Sequence, residues 1–210
     1  MKKVLIAATF LAMASAAQAA DVAASVWEGP FIGGSMTYAG IGVEAKRLYG
    51  QTPPNVHNYG YGYIAAVGAG TNYSFDRAIL GVEADLGYAH LSNSKSYTLT
   101  GGTGQVDSSL NAYGSLRGRA GYAFGTGTLV FGTAGLALGR FEEKVSLPPN
   151  ADNSTRTLFG VVLGVGVEQR LDEKWSVKGE YIGAGFKKTS GSNETVTGVG
   201  MLRFGVNMKL

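Results

Sequence analysis

Cysteine is absent from the 210 residues, which excludes a disulfide scaffold, a thiolate zinc site and a cysteine nucleophile. Charge is scarce: Asp, Glu, Lys and Arg make up 16% of the chain, well under the usual quarter. Histidine occurs twice, as His57 and His90, and no P-loop, G-x-S-x-G or H-E-x-x-H pattern is present. The common phosphate-binding, hydrolase and zinc-peptidase frames are therefore missing. Long apolar runs are missing too. Beyond the N-terminus the best cover residues 129–139 and 158–167, about half of the ~20 residues a membrane helix needs. The net charge of +3 includes Lys2 and Lys3 of a leader segment, and the remainder is too small for a nucleic-acid surface.

Glycine and aromatic rings are what abound. The 33 glycines are roughly one residue in six, more than twice ordinary usage, without the Gly-X-Y period of collagen. Nine Phe, eleven Tyr and two Trp supply enough apolar surface to exclude a disordered chain. At the N-terminus Lys2 and Lys3 precede the apolar run from Val4 to Ala14, and Ala17-Gln18-Ala19 follows. That order describes a secretory signal over residues 1–19, cleaved after Ala19.

The strongest signal in the remainder is alternation with period two, the mark of strands whose two faces meet different surroundings. Five segments carry two charges each: Glu83/Asp85, Arg117/Arg119, Glu168/Arg170, Lys178/Glu180 and Arg203/Lys209. Within each pair both charges share one parity, opposite the apolar set, an agreement with a chance of about one in thirty-two. The charge-free faces run longer than ordinary soluble strands. Short and long connections also alternate, as they do in outer-membrane barrels. The pattern predicts an all-β fold: an eight-stranded antiparallel up-and-down transmembrane barrel over residues 20–210. Its strands are expected near 29–42, 59–74, 78–91, 109–124, 128–142, 157–170, 175–188 and 198–210. The long connections are expected at 46–58, 92–108, 143–156 and 189–197, rich in Gly, Pro, Ser, Asn and Thr. The fifth strand is the least regular, since neither parity of 129–139 is polar.

Aromatics are expected to form two girdles at the headgroup levels. Trp27, Phe31, Tyr73, Phe75, Tyr122, Phe124, Trp175 and Phe204 fall near the periplasmic ends, and Tyr59, Tyr61, Tyr63, Tyr88 and Phe186 near the outer ends. The ten paired charges, Glu83, Asp85, Arg117, Arg119, Glu168, Arg170, Lys178, Glu180, Arg203 and Lys209, are expected to point into the lumen as a network. A hairpin symmetric about Gly101 sets Asp85 opposite Arg117 and Glu83 opposite Arg119, and one about Glu173 sets Glu168 opposite Lys178. Four inward acids against six bases leave a small positive excess.

Several segments resemble a known family. Trp27-Glu28-Gly29-Pro30-Phe31-Ile32-Gly33-Gly34 is similar to the W-x-G-x-Y-x-G-G opening of small alphaproteobacterial outer-membrane barrels. Ile79-Leu80-Gly81-Val82-Glu83-Ala84-Asp85 resembles their V-L-G-V-E-A-D. Residues 116–124 resemble V-R-G-R-x-G-Y-A-F, and residues 164–168 with 175–181 resemble G-A-G-V-E…W-S-x-K-x-E-Y. The resemblance covers the mature chain and implies an opacity-like "porin family" outer-membrane barrel, a class in which some relatives are surface antigens or adhesins and some bind haem. It further implies recognition of the last strand, through Phe204, Val206, Met208 and Leu210, by the barrel-assembly machinery. Phe31 and Leu210 stand where the family usually has Tyr and Phe.

Catalytic chemistry is thin. His57 lies in the first long connection, where solvation is the simpler account than haem ligation. His90-Leu91-Ser92 puts His and Ser on one strand face, as in an outer-leaflet lipid deacylase, but without an acid to orient the base. No cofactor is expected. The loop cations Lys46, Arg47, Lys95, Lys144 and Arg156 face outward toward lipopolysaccharide phosphates or solvent. The function expected is a non-enzymatic barrel serving envelope integrity and surface contacts with a host or matrix ligand. A small-solute pore is the runner-up, and haem binding or outer-leaflet lipid hydrolysis stands behind it.

Overall fold

A computed structural model describes residues 24–43, 58–99, 102–125, 127–147, 150–190 and 193–210. The expected signal and its cleavage site at Ala19 lie outside the described residues, as do Lys46, Arg47 and His57. One turn of 3-10 helix, Ala24–Trp27, precedes eight strands. These are β1 (Gly29–Val43), β2 (Asn58–Phe75), β3 (Ala78–Leu99), β4 (Gly102–Phe124), β5 (Thr128–Leu147), β6 (Asn150–Arg170), β7 (Trp175–Ser190) and β8 (Asn193–Lys209). Each pairs antiparallel with its sequence neighbour, and β1 closes on β8 from Phe31↔Lys209 to Val43↔Thr197. The wall has no free edge along that seam, which satisfies the backbone groups that lipid cannot.

Turn chemistry explains the short end. Asp76, with φ of 55°, takes the left-handed conformation at the two-residue β2–β3 turn, where a short polar side chain is tolerated. Gly127, with φ of 73°, does the same between β4 and β5. In the β6–β7 turn, Asp172 Oδ1 accepts the backbone N–H of Trp175 at 2.7 Å and of Lys174 at 2.8 Å, an Asx turn. This end faces the periplasm in barrels of this kind.

The opposite end departs from expectation. Residues 92–99 and 102–108 continue as paired strands to Leu99↔Gly102, and 143–147 and 150–156 to Leu147↔Asn150. Polar sequence reads as loop, but a ribbon standing in water needs no apolar face, so alternation fades while the backbone ladder continues. A membrane strand needs about 9–11 residues, whereas β3 and β4 have 22 and 23.

The β3–β4 register also differs. Its tip centres between residues 100 and 101, and an irregularity between Tyr88/Leu91 and Leu110/Ala112 shifts the pairing again. Glu83 therefore stands opposite Arg117, Asp85 opposite Ser115 and Arg119 opposite Gly81. The expected facing positions, Asp85 with Arg117 and Glu83 with Arg119, are displaced by two residues, because a bulge is invisible to a symmetric count. The Asp85–Arg117 ion pair still forms, on the diagonal at 3.0 Å. Against β5 the extra residue is Asn111, and above it β4 changes face. Leu110, of the parity that faces lipid lower down, is buried at 2% exposure.

Candidate functional site: the barrel lumen

Outward residues make an apolar belt, with Val67, Leu86, Leu116, Leu136 and Leu163 exposed across its middle. Inward residues fill the lumen in three layers.

At the base, the Ala24–Trp27 turn folds under the barrel, and Trp27 packs with Ile79, Ala123, Leu129 and Phe131. Asn72 Nδ2 donates to the Trp27 carbonyl at 3.2 Å and Ser74 Oγ to Glu28 at 2.7 Å. Arg170 Nη1 donates to the Val26 carbonyl at 2.5 Å, with its guanidinium 5.5 Å from the Trp27 ring centroid. Lys209 Nζ reaches the same carbonyl at 3.2 Å. These two cations therefore tether the N-terminal segment at the rim and stand apart from the lumen network assigned to them. Their positions at the ends of β6 and β8 set them below the layer their parity suggests.

The middle layer holds eight buried charges: Glu83, Asp85, Arg117, Arg119, Glu168, Lys178, Glu180 and Arg203. Four acids meet four bases, so the layer is neutral rather than positive. Arg117 on β4 is the hub. It pairs with Glu83, with Asp85 at 3.0 Å, and across the lumen with Glu180 on β7 at 2.6 Å. Arg203 on β8 pairs with Asp85 at 2.9 Å, and Lys178 on β7 with Glu83 at 3.1 Å. Arg119 pairs with Glu168 and lies 4.0 Å from the Phe131 ring centroid. Glu168 does stand opposite Lys178 in the β6–β7 register, but each side chain bonds elsewhere. Arg117 joins Glu83 and Asp85 on the neighbouring β3, but the other four of these pairs link strands that are not neighbours, because a narrow barrel brings opposite walls within reach of long side chains.

Polar companions that carry no charge complete the layer. Ser115 donates to Asp85 at 2.9 Å, Thr133 to Glu180 at 2.7 Å, and Ser176 and Asn207 to Glu168 at 2.5 and 2.8 Å. Thr37 accepts from Arg203 Nε at 3.3 Å. In the sequence Ser115, Ser176 and Asn207 already share the parity of the charges on their strands, whereas no charge on β1 marks the face of Thr37 and neither parity near Thr133 is polar. Gly164 makes room: a Cβ there would stand 2.7 Å from Glu180 Oε1 and 2.6 Å from Thr133 Oγ1.

The upper layer is apolar. Ile64, Leu91, Leu110, Tyr113, Val162, Ile182, Phe186 and Met201 are buried together with small residues, and Phe141 packs edge-on to Phe186 at 5.6 Å. Phe186 was expected in the outer girdle, and Trp27 and Phe31 in the inner one. All three point inward and are buried: Phe31 and Phe186 have inward parity on β1 and β7, and Trp27 precedes the sheet. Tyr73, Phe75, Tyr122, Phe124, Trp175 and Phe204 face outward and are exposed, as are Tyr38, Tyr61, Tyr63 and Tyr88 toward the outer end. Tyr38 stacks on Tyr61 at 6.1 Å. On β8, Val206 lies exposed and Met208 partly so, and Leu210, just past the strand, is exposed.

His90 is exposed on the outward face, 5.4 Å from the Tyr63 ring. Arg156 is exposed and donates to Ser154 at 3.3 Å. The side chains of Tyr59, Ser92, Lys95 and Lys144 lie outside the described residues.

An apolar exterior around a closed eight-stranded antiparallel wall defines an outer-membrane β-barrel protein. The chain belongs to the outer membrane protein beta-barrel domain family, whose model matches residues 6–209. It is 29% identical to the 31 kDa outer-membrane immunogenic protein of Brucella melitensis over 206 residues, covering 87% of this chain and 86% of that protein. It is 32% identical to the 22 kDa outer membrane protein of Rhizobium leguminosarum bv. viciae over 158 residues, 75% of this chain and 64% of that one. Among solved structures it is similar to Ail, the attachment invasion locus protein of Yersinia pestis. That match has 13% identity and a TM-score of 0.46, covering 87% of this chain and 99% of the other.

Proposed function

We propose that this outer-membrane protein is a sealed, non-enzymatic barrel that contributes to envelope integrity and meets its surroundings through its outer hairpins. The observation that carries this reading is the layered lumen. A neutral charge layer closes between two apolar ones, and voids bordering it measure about 10 and 20 Å³, room for about one water molecule each. A hydrated solute has no path through such packing. Outer-membrane lipid and lipopolysaccharide surround the belt, and Phe204, Val206 and Met208 of β8 with Leu210 just after it present the outward face offered to the assembly machinery.

The carboxylates of the middle layer serve as ion-pair partners inside the wall, away from the lipid face on which His90 sits. Among the described residues no acid orients the histidine packed on Tyr63, as a hydrolytic relay requires. The test is conductance of purified protein in planar bilayers. Silence is expected, and steady unitary steps overturn the reading in favour of a small-solute pore.

A further inference from the structure

Above the membrane the barrel wall is open. The β6–β7 ladder stops at Gly160↔Phe186, yet β6 runs ten residues further out, from Phe159 to Asn150, held on its other side by β5. β7 stays with β8 over the same height, as far as Ser190↔Asn193. Among the described residues, nothing pairs with the β7-facing edge of Asn150–Phe159. Alternate residues of that stretch, about five, direct both N–H and C=O toward the open side.

Exposed edges are normally blunted by proline, lysine or a bulge. This one has no proline and no lysine; Asp152 and Arg156 are its two charges among Asn, Ser and Thr, and its ladder with β5 is unbroken. Thr155 and Thr157 add β-branched side chains that favour the extended form.

We infer that this edge receives an extended polypeptide segment from outside the cell, added as a strand antiparallel to β6. With one acid and one base along ten residues, main-chain hydrogen bonds carry the recognition, so the partner is a weakly charged segment without proline. Leu158 and the exposed Phe159 stand at the membrane end of the edge and favour an apolar residue there. A second copy does not fit. Barrels side by side in one membrane tilt their strands by about 35–45° in the same sense, so facing strands cross at about 70–90° and form no ladder.

This inference rests on the surface role proposed above, but the two fail separately, because conductance reports the lumen and peptide pairing reports the edge. The probe is a fluorescent peptide of alternating threonine and valine, compared with a copy in which every second amide is N-methylated, on the full chain in nanodiscs. The plain peptide is expected to bind, and the methylated copy, which keeps its side chains but loses its edge donors, to bind at least about ten-fold more weakly. Ser154→Pro and Thr155→Pro refine the test. One of these neighbours has its N–H in the β5 ladder and the other on the open side. The variant that keeps heat-modifiable gel mobility is expected to lose about two- to ten-fold in affinity, the worth of one hydrogen bond. Equal binding of the two peptides, or none, overturns the inference. So does binding that emerges only after deletion of residues 46–57, which makes that segment the occupant. Disulfide-linked dimers of Thr155→Cys make a second copy the occupant and overturn it as well.

Discussion

On β7, Lys178 and Glu180 face the lumen in its middle layer, and Ile182, Ala184 and Phe186 face it in the layer above. On β8, Arg203 lies below and Met201 and Val199 above. The same strands, in the same alternation, build two interiors of opposite chemistry. The lower one holds eight charges that are tolerable because each has partners, and its desolvation cost is offset only while the set is complete. The upper one gains from apolar area removed from water and from close packing, as a soluble core does. Losses in the lower layer should thus be abrupt and strongly coupled, and losses in the upper layer graded and nearly additive.

Arg117 offers the most severe way to break this comparison. Arg117→Ala leaves Glu83, Asp85 and Glu180 without their hub and should destabilise the barrel by about 3–5 kcal/mol or more, measured by urea unfolding in detergent. Arg117→Gln with Glu180→Gln should cost clearly less than the sum of the two single changes. Strict additivity there would erase the distinction between the layers.

In the upper layer Phe186→Ala should cost about 3–5 kcal/mol and Ile182→Val about 0.5–1.5 kcal/mol, in proportion to the volume removed. Paired with the distant Ile79→Val at the base, Ile182→Val should add to within a few tenths of a kcal/mol. Coupling as large as that at Arg117 would show that the apolar layer also acts as a single network.

The lipid face supplies a third standard. Leu116→Arg, adjacent in sequence to the hub, should cost about 2–4 kcal/mol near the midplane, read as loss of the folded band on unheated gels. A Leu116→Arg protein that folds as well as wild type would mean that the belt does not lie in lipid.

The smallest effect belongs to the periplasmic turn. Backbone N–H groups of Trp175 and Lys174 hold the Asp172 carboxyl below its usual range. A carboxyl whose folded value is lowered contributes stability that is present above its unfolded value and is lost as pH falls through the folded one. Asp172→Asn should therefore slightly lower the urea midpoint at neutral pH and leave it unchanged once the pH is below both values. An equal offset at every pH would assign the effect to packing.

The lower lumen was legible in the chain because its charges mark one parity and its lipid face the other. The upper lumen was not, since both faces there are apolar: Val161, Val162 and Leu163 on β6 carry no contrast, although Val162 is buried and its neighbours are exposed. β5 was irregular for the same reason, with Leu129, Phe131 and Ala137 buried inward against an equally apolar exterior. Leu110 shares the parity of the lipid-facing residues lower on β4 yet lies inward, because the extra residue Asn111 reverses the face of the strand beyond it. The polar ribbons of β3–β6 were read as loops because water imposes no alternation on them.

Local patterning by itself determined the exported class, the eight-stranded count, the short turns and the sidedness of the charges, because a lipid boundary forces period two on any strand that crosses it. Only the closed barrel decided which charge meets which, that Arg170 and Lys209 hold the N-terminal turn instead of the network, and that the wall opens beside β6. Those outcomes depend on register, bulges and the distance across the lumen, and these exist only once opposite walls of the cylinder have been brought together.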